Sequence, residues 1–286
     1  MAVSAAEAEV RAAIEATGVR PRHLRLVSPL GERKGMRLAY RIEDEDGRVL
    51  KARLFSSPEE AQQVHDLRHD LAESFAPVLA RSGAVLIEEW IDGAMLEADG
   101  AEAWAKVAGA ILGELHVRPL GAGVPPVQDT RRWNERACED LTLLRQADAL
   151  TECVRERLCE ALRKSDPRRA RVALIHKDFC AENMLTDLRG RLRIIDTEQL
   201  AFDPIGFDLA WTWHRWPMSP AAWNCFLTGY RVAAPCEPEA ETYWRIVTGL
   251  TLARVYCQRM PARLPQQLAR LLQCVAGADD GAGLQR

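Results

Sequence analysis

"IHKDFCAENMLTDLRGRLRIIDTEQ", residues 175–199, sets a histidine, an asparagine and several acids around a short apolar hairpin. "VALI" just before it reads as an apolar strand. "ENMLT" and "RLRIID" are strand-like arms, and "DLRG" between them is a hairpin turn. Folding the arms together puts Asn183, at the start of one, beside Asp196, at the end of the other. Two oxygen donors then meet at the open end. Magnesium suits such a place: it takes one or two protein oxygens and completes its octahedron with water and substrate phosphates. Asp178 lies in the loop leading into the hairpin, where a base accepting a hydroxyl proton would be wanted. Alone, each of these residues reads as a turn former or a strand end. The joint pattern H-x-D-x-x-x-x-N, then a hairpin, then "IID", ties them to one chemistry.

The rest of the chain bounds what that chemistry can serve. Its 286 residues allow one large domain or two lobes. A net charge of -3 supplies no basic field for nucleic acid or a membrane surface. No apolar run approaches the roughly 18 residues that span a bilayer. "MAVSAAEAEVRAAIEATG" lacks a basic, then apolar, leader pattern and reads as a short surface helix. The eight cysteines form no CxxC pair and no zinc spacing, so a reduced compartment, the cytoplasm, is expected.

Strand patterns dominate residues 24–55: "LRLVSPLG", "MRLAYRIED" and "RVLKARLF", broken at Gly31, Gly35 and "EDEDG". "SSPEEAQQVHDLRHDLAESFA" opens as a helix, with Pro and acids in its first turn. "AVLIEEWIDG" is an apolar strand ending in a turn. After Gly93 helical periodicity takes over. "EAWAKVAGAILGELHVR" predicts a face of Trp104, Val107, Ile111 and Leu115. Residues 131–164 read as one or two helices, and helices return after 207. The expected fold is α+β. Residues 1–92 read as an antiparallel sheet with one helix, and 93–286 as mainly helical.

The chain resembles the aminoglycoside phosphotransferase/choline kinase family, which has a protein-kinase-like fold. "HKDFCAENML" is similar to its catalytic loop. "IIDTEQLAFDPIGFDLA" resembles its metal loop and the stretch that follows, and "ILGELHVRP" its helix ending in Leu-His. The likeness follows nearly the whole chain in order of elements and is specific over 176–210.

The resemblance implies transfer of the γ-phosphate of ATP or GTP, with Mg2+, to a hydroxyl of a small acceptor. Asp178 would be the catalytic base, and Asn183 and Asp196 the metal ligands. His176 would brace the loop, and Asp208 would bond its backbone. Lys51 would hold the α- and β-phosphates with Glu60 as its partner, Arg53 being the other candidate cation and Glu59 the other acid. In "LIEEWIDG" the carbonyl of Glu89 and the N–H of Ile91 would meet the adenine edge. Glu198 would face a second metal or solvent. Lys177 would face solvent or reach the γ-phosphate, and Cys180 is a candidate thiol. The segment "VSPLGERKGMRLAY" departs from the family in lacking a three-glycine phosphate loop.

The acceptor stays open among an amino alcohol, a sugar, an aminoglycoside and another natural product. The resemblance to choline kinases implies an aromatic facing a cationic acceptor at the position of Trp216, while Trp211, Trp213, Trp216 and Trp223 also each read as helix core. Glu135, Glu139, Asp140 and Glu152 are interleaved with Arg131, Arg132, Arg136 and Arg145, a mixed face typical of solvated helices. A monomer or homodimer is expected, with no nucleic-acid or membrane partner. The rival reading is a nucleotide-binding pseudokinase without turnover.

Overall fold

A computed structural model describes residues 5–27, 38–68, 71, 73–96, 98–234 and 240–280. The segment with Gly31 and Gly35, and also Cys236, lie outside the described residues. The helices are α1 (Ala5–Ala16), α2 (Pro58–Arg68), α3 (Ala98–Ala101), α4 (Ala105–His116), α5 (Arg131–Gln146), α6 (Glu152–Ser165), α7 (Ile205–Arg215), α8 (Pro220–Ala233), α9 (Glu241–Arg259) and α10 (Leu264–Asp280). The strands are β1 (Pro21–Leu26), β2 (Leu38–Asp44), β3 (Val49–Leu54), β4 (Val78–Ser82), β5 (Val85–Glu89), β6 (Gly93–Met95), β7 (Val127–Asp129), β8 (Arg169–Ile175), β9 (Met184–Asp187), β10 (Leu192–Ile194) and β11 (Ala201–Pro204).

Two compact units result: Met1–Leu96 with Glu182–Leu200, and Glu97–Ala181 with Ala201–Arg286. The sequence suggested one boundary, at 92/93. The hairpin instead folds with the first unit, because β9 pairs with β6 and Ile194 N–H donates to Ser74 O.

In the first unit an antiparallel sheet runs in the order β1-β2-β3-β5-β4. Strand alternation sorts β3: Leu50 and Ala52 join the core, while Lys51 and Arg53 fall on the opposite face. The N-terminal helix is more than a surface element. Val10 and Ile14, one turn apart on α1, are fully buried in that core. The second sheet, β10-β9-β6, contains the hairpin. Its turn closes because the Asp187 carboxylate accepts the N–H groups of Arg189 and Arg191 at 2.9 Å each, and Gly190 takes the positive φ of 73°.

The second unit holds a small sheet, β11-β8-β7, and the remaining helices. The buried face of α4 is Ala105, Ala108, Ile111, Leu112 and Leu115, rotated from the expected one; Val107 is exposed. Glycines explain the rotation. A Cβ on Gly109 would lie 2.0 Å from Phe226 O, and one on Gly229 would lie 1.9 Å from Lys106 O. The backbones of α4 and α8 therefore touch, and small residues define the seam. Gly229→Ala is expected to destabilise the fold by about 1–3 kcal/mol, since backbone must shift. Gly100→Ala, with nothing within 4 Å of the new Cβ, should be neutral or mildly stabilising. Paired thermal melts check this, and equal Tm values for the two variants would count against the seam.

Helix α7 crosses this unit and presents opposite faces to different partners. His214 is buried. Its Nε2 meets Arg245 O at 2.7 Å, and Gln267 Nε2 lies 3.1 Å from its Nδ1. This suits a neutral ring that donates through Nε2 and accepts through Nδ1. Burial, with Arg270 and Arg245 nearby, pushes its pKa down to about 3 from 6.5. The unfolded chain therefore binds this proton first as pH falls. The stability that depends on a neutral His214 is full above about pH 6.5 and is lost toward pH 3, up to about 5 kcal/mol in all. Urea melts of wild type and His214→Gln should converge as pH falls from 7 to 4. A gap independent of pH would sink this.

Candidate active site

The first unit contains a cluster of three cations and three acids. Lys51 Nζ donates to Asp196 Oδ1 at 2.9 Å, and Arg53 Nη2 donates to the same oxygen at 2.8 Å. Arg53 Nη1 pairs with Glu198 at 2.9 Å, and Arg68 Nη1 pairs with Glu88 Oε2 at 2.5 Å. Lys51 Nζ lies 3.7 Å from Glu88 Oε1. Burial alone would lower the Arg53 pKa, but Glu198, Glu88 and Asp196 outweigh it and push it above the usual range. Burial would raise the Glu88 carboxyl, yet Arg68, Lys51 and Arg53 hold it below its ordinary value. Asp196 follows the same balance: burial raises it, and Lys51 and Arg53 carry it well below the usual carboxylate range.

Glu60 is not the partner of Lys51. Its carboxylate accepts from Ser56 N–H and Oγ, while its own N–H donates to Ser57 Oγ. The Ser57–Glu60 bond is one half of a capping box at the start of α2, with the carboxylate reaching one residue further back to Ser56, so the helix-start signal "SSPEE" gives Glu60 a local use. Glu198 is not simply solvated: its side chain is mostly buried, and Oε1 is paired with Arg53. Sequence reasoning missed Glu88, because which residue faces Lys51 depends on strand pairing.

A cavity of about 530 Å³ adjoins this cluster within the first unit. Val27, Ala39, Met95, Leu185 and Ile195 give it apolar walls. Lys51, Arg53, Glu88 and Asp196 also line it, as do the expected hinge residues Glu89 and Ile91. At the hairpin mouth Ile195 N–H donates to Asn183 O at 2.9 Å, which sets Asn183 across from the residue preceding Asp196. Asp196 takes a left-handed conformation, φ 57°, and keeps 42% of its side chain exposed. One half-open carboxylate and one amide are hard oxygen donors, a set that fits magnesium. Among the described residues no group of three or more His, Cys, Asp or Glu could hold a metal unaided. A metal here would need phosphate oxygens as well.

The second unit contains Asp178. Its Oδ1 accepts from Trp211 Nε1 at 2.9 Å, and Arg215 Nε stands 3.6 Å away. Cys180 Sγ is 3.9 Å from the same oxygen and 3.7 Å from Arg215 Nη2. The Asp178 N–H donates to His176 Nδ1 at 3.3 Å, so His176 does brace the loop. Asp208, fully buried, accepts His176 N–H at 2.7 Å and Lys177 N–H at 2.8 Å. Its Oδ2 also lies 3.2 Å from His116 Nε2, and His116 Nδ1 lies 2.9 Å from the Tyr230 hydroxyl. Burial would raise the Asp208 carboxyl, but His116 and His176 outweigh it and hold it below normal. The Leu-His signal thus anchors the acid that carries the loop. Lys177, read as facing solvent or phosphate, is ion-paired with Asp203 at 2.8 Å.

The order of these elements matches a family model described as "APH: Phosphotransferase enzyme family" over residues 32–241. The chain belongs to that family. It is a phosphotransferase with an alcohol group as acceptor, a small-molecule kinase, on a kinase-like fold. No curated protein matches the chain in sequence. Among solved structures it is similar to choline kinase LicA from Streptococcus pneumoniae, at 14% identity over 96% of this chain and 100% of that one, with a TM-score of 0.69. It is also similar to macrolide 2'-phosphotransferase MphH from Brachybacterium faecium: 16%, 94% and 96%, TM-score 0.61. The gentamicin-APH(2")-IIa complex gives 16%, 96% and 97%, TM-score 0.65.

In this phosphotransferase Trp211, Trp213, Trp216 and Trp223 do not form an aromatic cage. Trp216 is buried edge-on to Phe226, which also stacks on Trp223. Trp213 has the guanidiniums of Arg245 and Arg270 over its ring, 4.2 and 4.4 Å from the centroid. Trp211 stacks on Phe207 and serves Asp178. That role was missed, although Asp208, Trp211 and Arg215 lie three and four residues apart and so share one face of α7. The acids of α5 are not a bare negative face either. Asp140 is buried against Arg254 and Thr251. No helix among the described residues is long and apolar enough to cross a membrane.

Proposed function

We propose that this chain transfers the γ-phosphate of Mg-ATP or Mg-GTP to a hydroxyl of a small, soluble acceptor. The observation that carries the reading is the cavity of the first unit. Apolar walls suited to a base, the hinge segment Glu89–Ile91, and the Lys51 and Asp196 side chains all line one space. Glu89 O and Ile91 N–H would meet the edge of the base. Lys51 would hold the α- and β-phosphates. Asn183 and Asp196 would hold magnesium, whose charge would offset that of the phosphates.

Asp178 would orient the acceptor hydroxyl and take its proton. The acceptor oxygen forms the new bond to the γ-phosphorus as the bond to the β-phosphate oxygen breaks, and nucleoside diphosphate leaves. Most of the acceleration would come from positioning and charge offset rather than covalent chemistry. Trp211 and Arg215 fix one carboxylate oxygen of Asp178, and Asp208 fixes the loop.

The similar structures carry titles naming choline kinase, macrolide 2'-phosphotransferase and a gentamicin complex. Those names set the panel: choline, ethanolamine, a macrolide, several aminoglycosides, simple sugars and homoserine. Buried Trp216 withdraws the aromatic case for a cationic acceptor, so neutral hydroxyl compounds belong in the panel on equal terms. Nucleoside-diphosphate release is measured with each. Release with one acceptor, absent without it, supports the reading and names the class. Nucleotide that binds but never turns over favours a regulatory protein instead.

A further inference from the structure

We propose that Glu88 on β5, and not an acid of α2, is the positioning residue that holds Lys51 on the donor phosphates. The proposal rests on the nucleotide reading given above. The sheet register is the first support. Lys51 and Glu88 are directly opposed partners in the antiparallel pair β3–β5, so their side chains rise together from one face. The pairing is built into backbone hydrogen bonds rather than into how a helix docks.

The second support is an unfilled acceptor. Glu88 is 3% exposed, and its Oε1 has no hydrogen-bond partner among the described residues. Lys51 Nζ, 3.7 Å away, and Arg53 Nε, 3.9 Å away, are the cations facing it. A buried carboxylate oxygen without a hydrogen bond is costly, and a small shift of the ammonium satisfies it. Oε2 is already fixed by Arg68, which donates in turn to Ala76 O. Glu88 is therefore anchored on one oxygen and open on the other.

The third support is that Asp196 has other work. Lys51 now shares Asp196 Oδ1 with Arg53. When Asp196 turns to a metal, Arg53 keeps Glu198 and Lys51 keeps Glu88. The α2 acid nearest in the sequence pattern, Glu60, is engaged in capping its helix.

The test compares equilibrium binding of Mg-ATP, Mg-GTP, adenosine and guanosine to wild type, Glu60→Gln and the double variant Glu88→Gln/Arg68→Met. The double variant keeps volume and removes one charge of each sign; circular dichroism and Tm report whether it is folded. The expected result is a loss of triphosphate affinity of at least about tenfold in the double variant, with nucleoside affinity nearly unchanged. A general loss of structure would weaken both alike. Glu60→Gln should bind triphosphate within about twofold of wild type at a slightly lower Tm. A folded double variant with wild-type triphosphate affinity overturns the proposal. So does a selective tenfold triphosphate loss in Glu60→Gln, which decides the matter even if the double variant fails to fold. Wild type that binds neither nucleotide would instead remove the nucleotide reading itself.

Discussion

Replacing Asp178 with Asn should lower turnover by about 10²- to 10⁴-fold while leaving Mg-nucleotide affinity within about twofold. The substitution is nearly isosteric. An amide oxygen at Oδ1 can still accept from Trp211 Nε1, and the backbone N–H can still reach His176 Nδ1. What disappears is the capacity to accept the acceptor's proton. The cavity proposed for the nucleotide is lined by other residues, all in the first unit, so affinity should not follow. Turnover within tenfold of wild type would remove Asp178 from the role of base.

Asp208→Asn should cost about 3–5 kcal/mol of stability, because it breaks a buried charged network by removing one partner. Asp208 accepts the backbone N–H groups of His176 and Lys177 and faces His116 as well. An amide there turns one of two accepting oxygens into a donor facing a donor. Tm should fall by roughly 10 °C. Turnover should fall too, but through the displaced loop rather than through lost proton transfer. The comparison with Asp178→Asn is the useful one: one variant should be stable and inactive, the other unstable. An Asp208→Asn protein as stable as wild type would mean that the loop is held by something else.

The parts of this site legible in the sequence were those encoded locally. The hairpin could be read because two apolar arms flank "DLRG", whose Asp and Gly have only one efficient geometry. The placement of Asn183 across from the residue preceding Asp196 follows from that hairpin, while the roles of Asp178, Asn183 and Asp196 are proposals. What was hidden depends on pairing between distant segments. Glu88 faces Lys51 because β5 lies beside β3 in a particular register, which a single sequence does not reveal. Glu60 was misassigned because one residue type serves both a helix cap and an ion pair, and the local use prevailed. Val107 was placed on the wrong face of α4 because the glycine contacts with α8, not the largest apolar side chains, set that seam. Trp211 has two uses that the run of tryptophans does not separate: one face stacks on Phe207 while the indole N–H belongs to Asp178.

The most direct measurement is 31P NMR of the wild-type protein with Mg-ATP or Mg-GTP and the acceptor panel, run beside Asp178→Asn. The expected result is loss of the γ-phosphate resonance with an equal gain of a phosphomonoester, dependent on one acceptor and absent in the variant. Equal gain of inorganic phosphate with no ester, or hydrolysis that ignores the acceptor, would contradict the assignment of this site to phosphoryl transfer onto a small-molecule hydroxyl.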